Sequence, residues 1–253
     1  MIQNKLLTGL IGILLSVAFT GVTNAQDDSE RQILSITEFT VKPGHSAIFN
    51  EGIKSWKECY LNNDGEWTWN VWSRMNGKGS VYLLTSYSSS WAEMDEEDEA
   101  GRMCAPLALQ LIMPAVETSE SQYFYTMPGW SETPGDEQNN FVEVTYFKIK
   151  HYDMFAELVS GVTGIIEEVE GDKRTTWYDS YGRSPGQFHY MSVIGHENMA
   201  SLDNPETSIW EVIVDAEGQD RRDELVDLYY QSVEESWMYM YSRMEDLSNT
   251  GTE

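Results

Sequence analysis

The sequence predicts a mixed α+β fold: two tandem ferredoxin-like βαββαβ units packed sheet to sheet as one pseudo-dimeric α+β barrel. Three observations lead there. A set of short matches recurs in the same order at an interval of roughly 108 residues. Each copy has the pattern of strand, helix, strand, strand, helix, strand, the split βαβ arrangement. The first strand alternates Leu34 and Ile36 with Thr37 and Phe39, so neither of its faces is simply polar. A sheet with two apolar faces needs cover on both. Helices supply one cover, because right-handed crossovers place both on the same face. The second unit supplies the other.

The matches are individually short. Phe39-Thr40-Val41-Lys42 recurs as Phe147-Lys148-Ile149-Lys150, Phe49-Asn50-Glu51 as Phe155-Ala156-Glu157, and Trp69 as Trp177. Val81-Tyr82-Leu83-Leu84 recurs as Phe188-His189-Tyr190-Met191. Each copy closes on Glu-Ser and an aromatic strand, at Glu120-Ser121 and at Glu235-Ser236.

In the first unit, residues 26–127, Ile33 to Val41 is rich in β-branched residues and stops at the turn signal Lys42-Pro43-Gly44. A helix is expected from Ser46 to Leu61, with Ile48, Phe49, Ile53, Trp56 and Tyr60 on one face. Glu66 to Ser73 places Trp67, Trp69 and Val71 on one side of a strand. A Gly-containing turn joins it to Ser80 to Tyr87 as a hairpin. A second helix is expected over roughly Arg102 to Val116, with Pro106 near its start and Pro114 kinking or ending it. The second unit, residues 141–248, has expected strands Phe141 to Ile149, Arg174 to Tyr181, Gln187 to Gly195 and Trp237 to Ser242. Its expected helices are Asp153 to Glu170 and Asp220 to Glu235. Extra residues fall around Thr207 to Gly218. Residues 128–140 are a Pro/Gly-rich acidic linker, and 249–253 are expected to be a disordered tail.

Residues 1–25 carry a short basic start at Lys5, an apolar run from Leu6 to Phe19 and a small-residue end at Thr23-Asn24-Ala25. That is the pattern of a cleaved signal peptide, and the run is short for a bilayer span. An exported protein, periplasmic or extracellular, is the expectation, with no membrane attachment after cleavage. The 253 residues are 41% hydrophobic and 12% aromatic, enough for a large core. The 42 acidic residues against 16 basic ones give a formal charge of -26, which excludes nucleic acid and anionic lipid as the main partners.

The strand motif Phe39-Thr40-Val41-Lys42-Pro43-Gly44-His45 with Phe49, together with the aromatic closing strands, resembles the dimeric α+β barrel superfamily. That superfamily includes antibiotic-biosynthesis-monooxygenase-like and NIPSNAP-like domains. The resemblance implies a barrel with an internal pocket or a well-filled core, carried here by one polypeptide, as a monomer or a further homo-oligomer. It does not imply one activity, since members include oxygenases, haem enzymes and dehalogenating enzymes. Haem members place their proximal His on a helix, and the second unit has no helical His. No cofactor is expected.

In this fold the two helices of a unit run antiparallel, which brings Cys59, near the end of the first, toward Cys104, near the start of the second. A disulfide between them and two free buried thiols are both open, and an exported chain permits the bridge.

Candidate chemistry is sparse. No HExxH, CxxC or phosphate loop is present, and no metal site is expected. His45 and His151 precede helices and look like exposed turn residues; His196 ends a strand. His189 lies mid-strand between Phe188 and Tyr190. If those two face the helices, His189 faces the barrel interior as a base or hydrogen-bonder, or else it is a satisfied core group. Glu38 is a charge in mid-strand, with Thr40 on its face by alternation. A pocket wall of Glu38, Thr40, Trp72, Tyr82 and Tyr146 beside His189 is one reading; a solvated strand end is the other. The tryptophans of residues 67–72 form either a ring-binding platform or core. The acidic run Asp95 to Glu99 fits a solvated loop before a helix.

Three functions remain open: a barrel that binds a small apolar or aromatic molecule between its sheets, a monooxygenase-like enzyme using His189, or a partner-binding module with a solid core.

Overall fold

The structure, a computed structural model, describes residues 31–133, 139–183, 186–203 and 206–251. The proposed signal peptide lies outside them. Strand β1 is Ile33–Val41 and helix α1 is Ser46–Asn62. A hairpin of β2 (Asn70–Arg74) and β3 (Ser80–Ser88) follows, then helix α2 (Glu99–Leu107) and strand β4 (Val116–Thr126). The second half repeats this order with β5 (Phe141–Ile149), α3 (Tyr152–Glu170), β6 (Thr176–Tyr181), β7 (Tyr190–His196), α4 (Ile209–Glu217), α5 (Gln219–Ser232) and β8 (Val233–Arg243).

The eight strands close into one barrel in the order β1-β3-β2-β8-β5-β7-β6-β4, with every neighbouring pair antiparallel. Within each half the order is that of a ferredoxin-like sheet. Two seams join the halves. At one, Trp72 pairs with Arg243 and Arg74 with Tyr241. At the other, Tyr123 pairs with Tyr181 and Thr126 with Tyr178. Closure pairs the four edge strands that two separate sheets would expose.

Period-two alternation then sorts each strand into an inner and an outer face. Leu34, Val81, Leu83, Phe124, Val142, Val144, Tyr146, Tyr178, Met191 and Tyr241 are buried together inside the barrel. Outside, Val41, Phe49, Ile53, Tyr60, Trp69, Val71 and Tyr82 pack under α1. Ile149, Phe155, Leu158, Trp177, Ile213 and Leu225 pack under α3 to α5. Trp67 and Trp69 belong to the outer core against Trp56 and Tyr60, so they form no platform for a ligand. Gly52 of α1 lies where an added Cβ would meet the Leu111 carbonyl oxygen at 2.9 Å, so a larger residue would push the two helical segments apart.

Several expected boundaries move, each for a local reason. Helix α2 starts earlier than Arg102, because Asp98 caps it by accepting the Gly101 N–H at 2.8 Å. Pro106 therefore falls in its last turn. It cannot donate to a carbonyl behind it, and the chain loosens into a π-turn over Ala108–Ile112 and a 3₁₀ turn over Met113–Ala115. Strand β7 begins at Tyr190 rather than Gln187. The extra residues after Thr207 form α4, capped by Ser208. Helix α3 ends on Gly171 in the left-handed region at φ 91°. Asn249, expected to open the tail, is instead buried and exchanges two backbone hydrogen bonds with Trp69, at 2.8 and 2.9 Å.

Cys59 of α1 and Cys104 of α2 form a disulfide, with Cα atoms 6.0 Å apart and a sequence separation of 45. It ties α2, a helix weakened by proline, to the longer α1. Loop-closure entropy makes such a bridge worth about 2–4 kcal/mol. Replacing both cysteines by serine is expected to lower unfolding stability by that amount in a urea titration. A change under about 0.5 kcal/mol would show that packing alone holds α2.

Candidate functional site: the barrel cavity

Inside the barrel lies a cavity of about 1580 Å³, counted with its open mouth. Its walls come from both halves: Leu34 and Ile36 of β1, Leu83 of β3, Val142 and Val144 of β5, Met191 and Val193 of β7. These are inward positions of strands that alternate apolar residues on that side, which makes this part of the wall aliphatic.

Polar residues share the wall with them, among them Thr85, Ser86, Ser131 and Thr176, together with four tyrosines. The Tyr87 and Tyr178 hydroxyls meet at 2.6 Å and the Tyr146 and Tyr241 hydroxyls at 3.0 Å. All four tyrosines line the cavity. Tyr87 of β3 and Tyr178 of β6 belong to opposite halves, so their bond forms only when the barrel is closed; Tyr146 and Tyr241 lie on the adjacent strands β5 and β8 of the second half. Trp72 donates its indole N–H to Thr85 Oγ1 at 3.0 Å. Burial raises all four phenols above the ordinary tyrosine value, Tyr146 and Tyr178 well above it and Tyr241 to about 12. They are neutral hydroxyls at any physiological pH.

Phenol pairs have a simple accounting. A pair holds two O–H donors, and the bond between its members uses one. Among the described residues neither pair has a further hydrogen-bond partner for its hydroxyls. One O–H per pair is therefore left to donate to a third group.

The proposed pocket wall is only partly assembled. Trp72 and Tyr146 line the cavity. Glu38 and Thr40 share the inward face of β1 but do not line it; they lie further along the strand than Ile36, toward the opposite end of the barrel. There burial raises the Glu38 carboxyl, opposed by Arg74 and reinforced by Glu120, while Arg74 stacks over the Tyr239 ring at 4.5 Å.

Tyr82 and His189 are corrections. Tyr82 pairs with Phe39 and packs on Phe49 at a ring distance of 4.8 Å, on the helix side of β3. His189 also faces outward. Phe188, not His189, enters the interior, stacking on Phe124 at 5.6 Å and meeting Tyr146 at 4.6 Å. His189 Nδ1 accepts the Ile149 N–H at 2.7 Å, where β5 has a register shift against β8. Its ring lies on Tyr152 at 5.3 Å. Burial, then Arg183 and Lys148, lower its pKa. A neutral ring that accepts a backbone amide at a bulge is a structural group, not a base facing the cavity.

None of the four histidines lines the cavity. His45 Nδ1 is 3.0 Å from the Pro43 carbonyl, His151 precedes α3, and His196 lies near Ser201 and Glu143. The residues present do not fit a haem held by histidine in this cavity. Among the described residues no group of three or more His, Cys, Asp or Glu could hold a metal ion, and no helix is long and apolar enough to cross a membrane.

Sequence reasoning missed Thr85, Tyr87, Tyr178, Tyr241 and Arg243. The signal was available in the period of two: counting from Trp237 gives Tyr239, Tyr241 and Arg243 on one face of the closing strand.

No protein-family model and no curated protein matches this chain in sequence. Solved structures do match in shape. A candidate monooxygenase from Lactobacillus acidophilus is similar at 10% identity and TM-score 0.52, covering 85% of this chain and 94% of that one. A candidate monooxygenase from Fusobacterium nucleatum is similar at 12% identity and TM-score 0.51, covering 85% and 93%. A chlorite dismutase variant from Candidatus Nitrospira defluvii is similar at 8% identity and TM-score 0.50, covering 85% and 93%. The fold is the dimeric α+β barrel. At these identities the likeness is one of fold alone, and the barrel here is completed within one polypeptide.

The buried phenols give stability a pH dependence. The folded-state value of Tyr241, about 12, exceeds the 10 of the free side chain. The folded protein thus keeps a proton that the unfolded chain loses, so stability is intact below pH 10 and falls as pH rises through 12. Urea titrations at pH 9 to 12 are expected to show this loss, and Tyr241→Phe should make it shallower. An unchanged slope in that variant would place Tyr241 in contact with water.

Proposed function

We propose that this is an exported protein that binds one small apolar or aromatic molecule in the space between its two sheets. The observation that carries the reading is the cavity itself, with an aliphatic patch contributed by both halves and two phenol pairs that each hold an O–H for a third group. Apolar walls with a few placed donors are the usual composition of a ligand site. A buried donor left without an acceptor costs about 1–3 kcal/mol, so a ligand oxygen or a retained water belongs at each pair. Export is supported by the leader-like residues 1–25 and by the disulfide, a bond that persists in oxidising compartments. The matching element order of the two halves supports their origin as a tandem repeat.

A solid-core module is disfavoured by the size of the cavity. A cofactor-independent, monooxygenase-like reaction is the second reading, favoured by the names of the two similar structures. It would have to use the phenol pairs, since His189 faces away.

The test is binding of 2-naphthol, followed by calorimetry and by its own fluorescence. One molecule per chain is expected to bind. Leu83→Trp and Val144→Trp, which fill the cavity from opposite halves, are each expected to weaken binding at least tenfold, while a tryptophan at the exposed outer position of Leu109 changes nothing. Equal binding in all four folded proteins would remove the cavity as the site.

A further inference from the structure

The floor of the cavity adjoins polar groups whose bonds are not all made within the protein. Glu38 and Tyr146 take corresponding places in the two halves. Glu38 faces Leu83 of β3, Tyr146 faces Met191 of β7, and both of those partners line the cavity. Glu38 is one inward step, about 7 Å, past Ile36 on β1. It is half-buried, and among the described residues no hydrogen bond or ion pair holds its carboxyl. Arg74 ends β2 opposite Tyr241. Its Nη2 donates to the Lys78 carbonyl and its guanidinium lies over the Tyr239 ring at 4.5 Å, but its Nε is buried without an acceptor. The Tyr146–Tyr241 pair lines the cavity and has one O–H to give. The charges of Glu38 and Arg74 act on both of its hydroxyls.

Resting on the ligand-binding reading above, we infer that the Tyr146–Tyr241 pair and Glu38 form a proton relay, which takes the proton of a ligand's O–H, that of a phenol or an enol, out of the cavity toward the far end of the barrel.

The relay consists of proton transfers alone. The ligand O–H gives its proton to the oxygen of one tyrosine as that tyrosine passes its own proton to the other. The second tyrosine passes its proton to the Glu38 carboxylate. No direct bond joins Glu38 to either hydroxyl, so a bridging water carries this last step. The ligand ends as an oxyanion, Glu38 as a neutral carboxylic acid, and both tyrosines as phenols. The tyrosine that took the ligand's proton now donates it back as a hydrogen bond to the oxyanion, and the Arg74 charge favours negative charge there.

Glu38 is the acceptor by elimination. The ionisable groups whose charge reaches the pair are Glu38, Arg74 and Tyr239, and of these Glu38 alone is a base at neutral pH. Burial raises its affinity for a proton, Arg74 opposes this and Glu120 reinforces it. The proton has a way out from there. Glu120 faces Glu38 across β1 and β4 and is exposed, accepting from Gln122 at 3.3 Å and from Gln187. Proton exit is thereby kept apart from the mouth by which the ligand enters.

2-Naphthol tests the relay, because light makes its O–H strongly acidic and its emission reports whether a base has taken the proton. With the full chain in excess at pH 7.5, bound naphthol is expected to emit mainly as its anion. In Glu38→Gln, which keeps the shape and loses the base, the ratio of anion to neutral emission should fall at least fivefold, while the calorimetric affinity changes less than twofold. Tyr241→Phe should lower the ratio as far. In the unaltered protein the ratio should also fall as pH is lowered, since a protonated Glu38 cannot accept, and Glu38→Gln should abolish that dependence. The other titratable or charged groups facing Glu38 are Arg74 of β2, Glu120 of β4, Tyr146 of β5, and Tyr239 and Tyr241 of β8. Glu120→Gln should leave the ratio at pH 7.5 within twofold. Bound naphthol that emits as its neutral form, or an undiminished anion emission in Glu38→Gln, would overturn the relay and leave the cavity reading standing. Absence of binding would overturn both.

Discussion

Each half of this chain builds a sheet that is apolar on two sides and has two unpaired edges. Helices cover only one side. The β2–β8 and β4–β6 pairings resolve both problems at once, because they satisfy the edge hydrogen bonds and enclose the second apolar face. Everything proposed for function follows from that closure. The cavity exists because the two inner faces stand apart across the barrel, and its wall draws on both halves.

The interior is not filled as the outer cores are. Under α1 and under α3 to α5, large aromatics interlock: Trp56, Tyr60, Trp67 and Trp69 on one side, Trp130, Phe147, Phe155 and Trp177 on the other. Inside, the cavity wall mixes Val, Leu, Ile and Met with polar residues, and the aromatic bulk gathers where Tyr146 stacks on Trp237 and meets the edge of Phe188. Stability is thereby assigned to the outer layers, and the interior is left to shape and polar contacts. The disulfide serves the same division, pinning the proline-weakened α2 without touching the cavity wall.

Much of the architecture was legible in the sequence because the strands repeat. The spans of β1 and β5 follow from their β-branched runs and turn signals, and Trp72 and Tyr146 were placed on the correct wall. The repeat aligned Tyr82 with His189 one residue out of step: Tyr82 faces Phe39 and Tyr190 faces Phe147, so Tyr82 corresponds to Tyr190. What it could not supply was the phase of that strand: one residue of shift exchanges the faces. The pairing of Phe39 with Tyr82 settles it, because cross-strand partners share a face and Phe39 packs on α1. At His189 the strand is also irregular, with Phe188 inside and both His189 and Tyr190 outside, a local break that no alternation anticipates. Helix α4 was hidden in residues without a counterpart, and Arg243 was passed over because it follows the aromatic run that marked the strand.

The most direct test of the closed barrel is amide hydrogen exchange at its two seams, resolved by residue. The account expects the seam amides of Met75, Met244, Tyr123 and Tyr125 to exchange as slowly as those in the middle of β1 and β5, because all would open only with global unfolding. Fast exchange confined to β2, β4, β6 and β8, with β1 and β5 protected, would mean that the halves stand apart and that the space between them is not a site.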